Sequence, residues 1–87
     1  MKTNPIVKKE MLTVVENQLN TNTPPETKIT YNRLIQTGIS EVDAKNYIAQ
    51  CVAVEIFNVM KYKQPFDAKR FIKNLNNLPK EPFDDES

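Results

Sequence analysis

The stretch "SEVDAKNYIAQCVAVEIFNVMKY", residues 40–62, decides the fold. Ser40 stands where a helix N-cap belongs, and Asp43 follows at capping-box spacing, so a helix is predicted to begin here. It is expected to reach Lys61 or Tyr62, which makes it the longest element of the chain. At about 100° per residue, Ala44, Ile48, Cys51, Val52, Val59 and Tyr62 share one face, with Ala49, Ala53, Ile56 and Met60 adjoining it. Val54 and Phe57 point elsewhere. A helix that is apolar on so many sides packs against several neighbours at once, so this one is predicted to be central.

One residue breaks the pattern. Glu55 falls between Cys51 and Val59 on the helical wheel, with Ile48 and Val52 close by, and so lies on the apolar face rather than on its rim. A carboxylate there must find a partner, reach water or give up its charge. The structural reading is that it accepts hydrogen bonds from Arg33, Arg70, a tyrosine hydroxyl or the first-turn N–H groups of another helix. The functional readings are a carboxyl held protonated for acid–base work and a buried specificity contact in a dimer interface. A carboxylate metal site pairing Glu55 with Glu16 lacks the histidines of the Glu-x-x-His pattern and is set aside.

The segments on either side read as further helices. Asn4-Pro5 offers an N-cap followed by proline at the first helical position, and a helix is predicted to run to about Leu19. Its core face is Val7, Met11, Leu12, Val14, Val15 and Leu19. "NTNTPPET", residues 20–27, breaks the chain, and Thr23 and Glu26 have capping-box spacing across two prolines. The second helix carries Tyr31, Leu34 and Ile35 and stops at Gly38, the only glycine, which enters a left-handed position without a Cβ penalty. A fourth helix starts at Asp67 as N-cap, with Phe66 and Phe71 at the spacing of a hydrophobic staple. Phe71, Ile72, Leu75 and Leu78 face its core, and Pro79 ends it. The remaining "KEPFDDES" reads as an extended, flexible acidic tail in which Phe83 is the one side chain able to dock.

Composition narrows the chemistry. At 87 residues the chain is long enough for one modest core, here assigned to residues 1–80, and too short for a second. Histidine is absent, which removes the commonest metal ligand and the commonest acid–base group near neutral pH. Zinc sites and Ser–His or Cys–His nucleophile systems are therefore excluded. Cys51 is the only cysteine and reads as a buried, inert thiol. No window approaches a membrane span and the N-terminus does not resemble a signal peptide, so the expected location is the cytoplasm. Residues 1–80 hold 12 basic and 7 acidic groups, a formal +5, and the last seven residues add four acids and no base.

Two stretches invite a nucleic-acid reading. In "KYKQPFDAKRFIK", residues 61–73, Lys61, Lys63, Lys69, Arg70 and Lys73 alternate with Tyr62, Phe66 and Phe71, a mixture able to meet an acidic partner or to hold phosphates and stack on bases. The plainer account assigns Lys61 and Lys63 to a helix C-terminus and the aromatics to core packing and the staple. The second stretch, "YNRLIQTGISEVDAKNYIAQ" at residues 31–50, has the turn of a helix-turn-helix, but its second helix begins with Glu41 and Asp43, which would repel phosphates.

Taken in order, "NTNTPPET", "AVEIFNVMKYKQPFDAKRF" (residues 53–71) and "NLNNLP" (residues 74–79) make nearly the whole chain resemble a group of short, functionally unassigned bacterial all-helical proteins. The resemblance implies a small helical fold and a bacterial cytoplasmic origin, and it implies no activity. Together with the residue-level reading it gives the expectation of an all-α, compact four-helix domain with a long central third helix. That domain is expected to bind another protein, its own copy included as a homodimer, and not to be an enzyme. Cofactors and a membrane are not expected, and nucleic acid bound by residues 61–73 is the alternative.

Overall fold

Helix boundaries follow the local signals closely. The computed structural model describes residues 5–80, with side chains from Lys9 onward, and contains α1 (Pro5–Thr21), α2 (Pro25–Gln36), α3 (Glu41–Tyr62) and α4 (Ala68–Asn77). Among the described residues there is no strand. Asn4 as N-cap and the acidic tail with Phe83 lie outside the described residues, and the Val7 side chain, expected on the core face, lies outside the described side chains.

α2 ends as its glycine requires. Gly38 has φ +96°, its N–H donates to the Ile35 carbonyl at 3.0 Å, and the Ile39 N–H donates to the Leu34 carbonyl at 3.1 Å. This is the Schellman arrangement, which satisfies carbonyls that the helix end would otherwise leave open. No atom lies within 4 Å of where a Cβ would stand, so the demand for glycine is torsional rather than steric. Two residues later the chain re-enters a helix at Ser40, whose Oγ accepts from the Asp43 N–H at 3.1 Å. The far end of α3 uses the same left-handed turn without a glycine, at Lys63 with φ 56°.

One expected cap does not form. Thr23 and Glu26 make no capping box: the N-cap of α2 is Pro24, in extended conformation, and the Thr23 hydroxyl donates back to the Thr21 carbonyl at 3.1 Å. Pro25 follows Pro24 and holds it out of the helical region, which moves the helix start past the threonine.

α3 is the hub. It packs against α1, α2 and α4, while α2 also touches both α1 and α4. Met11 and Val15 from α1, Leu34 from α2, Ala44, Ile48, Cys51 and Val52 from α3, and Phe71, Leu75 and Leu78 around α4 form one contiguous buried core. Each large side chain in it contributes on the order of 1.5–3 kcal/mol by leaving water. Met60, assigned to the flank of the apolar face, is instead 71% exposed. It lies near the end of α3, eleven residues beyond the buried Ala49.

Candidate functional site

α4 is the shortest helix, and its own sequence supplies no acidic residue in its first turn and no basic residue in its last. Other helices supply both. At its N-terminus, Glu55 of α3 is wholly buried and accepts three hydrogen bonds. Arg70 Nε donates to Oε2 at 2.6 Å, Arg70 Nη2 donates to Oε1 at 3.0 Å, and the backbone N–H of Asp67 donates to Oε1 at 2.8 Å. The two guanidinium bonds form a fork matched to the carboxylate plane, which both strengthens and orients the pair. Asp67 completes this end as N-cap, its Oδ1 accepting from the Arg70 N–H at 3.1 Å.

At the other end, Arg33 of α2 reaches over the last turn of α4. Its Nη1 donates to the Leu78 carbonyl at 2.8 Å and its Nη2 to the Leu75 carbonyl at 2.9 Å. A carboxylate at the start and a guanidinium at the finish each stand opposite the partial charge that the aligned peptide dipoles leave there. α4 is thus clamped by charge at both ends and by Phe71 and Leu75 along its middle.

This geometry corrects two assignments. Arg33, one of the two arginines that the sequence offers to Glu55, binds α4 carbonyls instead, because its place in α2 puts it at the opposite end of α4 from Glu55. Arg70 was also assigned to an exposed basic surface, yet it is only 8% exposed, and its guanidinium is engaged by Glu55. Lys61, Lys63, Lys69 and Lys73 are exposed as that surface would need. Of its aromatics, Phe71 is buried and Tyr62 half-buried, while Phe66 is 44% exposed and stacks edge-on against Phe71 with ring centroids 5.3 Å apart, completing the staple. Lys61 Nζ lies 5.2 Å from the Phe57 ring centroid and 5.0 Å from that of Tyr62.

Sequence reasoning missed several buried polar residues. Asn58 and Asn74 are buried beside the clamp on α3 and α4, and Asn58 Nδ2 donates to the Val54 carbonyl at 2.8 Å. Thr27, buried on α2, donates to Gln18 Oε1 at 3.0 Å. Spacing held the signal for the asparagines: Asn58 follows Glu55 by three residues and Asn74 follows Arg70 by four, so each repeats the face of a charged residue already in question. Glu16, the other carboxylate once weighed with Glu55, pairs with Lys45 at 2.6 Å. Cys51 is fully buried, and burial pushes its thiol up to about 12, with the charge of Glu55 adding to the shift. A thiol held protonated in this way is unreactive at neutral pH.

An open hollow of about 400 Å³ lies beside the start of α4, lined by Gln64, Pro65, Phe66, Asp67, Ala68 and Lys69. Its one carboxylate already caps the helix. Glu55 and Arg70 do not line it.

Four helices built around α3, with a buried charged clamp and no described helix long and apolar enough to cross a membrane, define a small all-α domain. The chain belongs to the family described as a domain of unknown function, DUF1841, whose model matches residues 1–77 and so covers all four helices. No curated protein and no solved structure matches it.

Proposed function

We propose that this chain is a non-enzymatic protein-interaction module of the bacterial cytoplasm, and that it binds its partner with the outward side of α3. The observation that carries the reading is the apolar character of that side. Val54, Phe57 and Met60 follow one another at helical spacing away from the buried face, and Val42 extends the same side at the other end of the helix. Met60 is 71% and Val42 is 69% exposed, while Val54 and Phe57 are half-buried. Isolated apolar side chains on a surface are ordinary, but a stripe along one element is what an interface core requires. Glu55, the one carboxylate in an apolar setting, has both oxygens occupied by Arg70 and the Asp67 amide, which favours a structural role over acid–base work.

The nucleic-acid alternative is supported by four exposed lysines but has lost Arg70 to the interior and Phe71 to the core. The two readings separate in one experiment. The intact protein, carrying an affinity tag, is recovered from its native cell beside a Met60→Asp variant of equal thermal stability. A protein partner retained by the wild type and lost with Met60→Asp is expected. A partner held equally by both, or salt-sensitive micromolar binding of single-stranded oligonucleotides that is lost on changing the four lysines to glutamine, overturns it.

A further inference from the structure

We infer that the occupant of this face is a second copy of the chain, with the two α3 helices antiparallel about a twofold axis near Val52, a step that rests on α3's outward side being the docking face. The argument is one of register. Asp43 and Lys61 are separated by eighteen residues, as are Val42 and Met60. Eighteen residues are about five whole turns at 3.6 residues per turn, so each pair shares one azimuth on the helix. Asp43 and Lys61 therefore lie along one edge of the outward side, and Val42 and Met60 lie along the other.

A twofold axis perpendicular to α3 keeps each edge on its own side and reverses the direction of the helix. Placed at the level of Val52, midway between Asp43 and Lys61, it sets Asp43 of one copy opposite Lys61 of the other, and does so twice because the interface is isologous. The same operation sets Val42 opposite Met60 of the second copy, offset by two residue rises, about 3 Å, along the axis. Charge meets opposite charge on one edge, and apolar meets apolar on the other. The centre of the face carries the exposed Gln50 and the half-buried Val54. Phe57 then lies opposite Asn46 of the second copy, flanking the centre on both sides.

The pattern discriminates orientation as well as partner. A parallel twofold pairing would exchange the edges and set Asp43 and Lys61 of one copy against the apolar Val42–Met60 edge of the other, where neither charge finds a partner. Rim charges of this kind set register and orientation more than affinity, so a dimer of moderate strength is expected, assembled by the apolar edge and directed by the charged one.

Charge reversal provides the test, with mass in solution measured by sedimentation across a range of protein concentrations. Asp43→Lys alone places lysine against lysine at both ends, and Lys61→Asp alone places acid against acid. Each variant is expected to weaken self-association by roughly tenfold or more, the equivalent of about 1.4 kcal/mol. Mixing the two variants makes both contacts complementary again, and the mixture is expected to dimerise as the wild type does. Thermal midpoints near that of the wild type establish that each variant is folded. A wild type that stays monomeric at millimolar concentration overturns the second copy as occupant. So does a dimer that neither single reversal weakens, or single variants that are weakened and not rescued by mixing. These outcomes leave the docking face itself to the Met60→Asp comparison, which reads loss of a different protein partner, so the two proposals fail separately.

Discussion

Lys45–Glu16 and Arg70–Glu55 both join α3 to a neighbouring helix, and both are 2.6 Å long. Lys45–Glu16 ties α3 to α1 with side chains 30% and 47% exposed, whereas Arg70–Glu55 ties α3 to α4 with side chains 8% and 0% exposed. Distance does not rank them; solvent does. Water around Lys45 and Glu16 screens their attraction and would solvate either one alone, so such pairs contribute about 0–1 kcal/mol. Arg70 and Glu55 have given up nearly all their water, and the Glu55 carboxylate depends on the guanidinium and the Asp67 amide for its hydrogen bonds. The buried pair need not make the fold more stable than an apolar substitute would. Its loss by halves is what the fold cannot absorb.

The largest effect is therefore expected at Glu55. Glu55→Ala leaves the Arg70 guanidinium buried without its carboxylate and should cost about 3–5 kcal/mol in denaturant unfolding. Glu55→Gln keeps the size and one acceptor and should cost less. The double change Glu55→Leu with Arg70→Met removes both charges together and should recover much of the loss of the single variant. A Glu55→Ala variant as stable as the wild type would erase the contrast between the two pairs.

Next in size is Arg33, which holds the opposite end of α4. Arg33→Ala removes two charged hydrogen bonds to the Leu75 and Leu78 carbonyls from a half-buried position and should cost about 1–3 kcal/mol. Arg33→Lys should recover little, because an ammonium does not reproduce the two-pronged reach of the guanidinium. Amide exchange should quicken in α4 before α1 in both variants, since α1 takes no support from this contact. Equal quickening in the two helices would mean that the clamp acts on the whole fold and not on α4.

How much of this was legible depended on how many residues carried each signal. Gly38, Ser40 and the Phe66–Phe71 staple were readable because each cap is written within a few adjacent residues and its chemistry is local. Glu55 was visible as an anomaly for the same reason: its neighbours on the wheel come from its own helix. Its partner was not fixed by sequence, since Arg33 and Arg70 were both available and only the placement of α4 across α3 chooses between them. That placement also hid the role of Arg33, because the carbonyls it caps belong to a helix more than forty residues further along the chain. The failed Thr23 cap shows the reverse case, in which a correct local spacing was overruled by the backbone restriction of two consecutive prolines.

The smallest effect is expected at the exposed pair, and it carries a pH signature. Glu16→Ala should change stability by about 0–1 kcal/mol at low salt, and by less as salt is added, because screening already weakens an exposed pair. The hydrogen bond to Glu16 raises the Lys45 ammonium above its ordinary value of 10.5. A lysine whose folded value is raised binds its proton more tightly in the folded chain than in the unfolded one. Its contribution is therefore complete below the unfolded value and is lost as pH rises through the folded one. At pH 7 the wild type and Glu16→Ala should differ by the full, small amount, and as pH rises through the raised Lys45 value their unfolding midpoints should converge. The Arg70–Glu55 pair should show no such convergence, since an arginine keeps its proton throughout that range. If the Glu16→Ala difference instead persisted undiminished into strong alkali, Glu16 would be acting through its packing against α3 and not through the charge of Lys45.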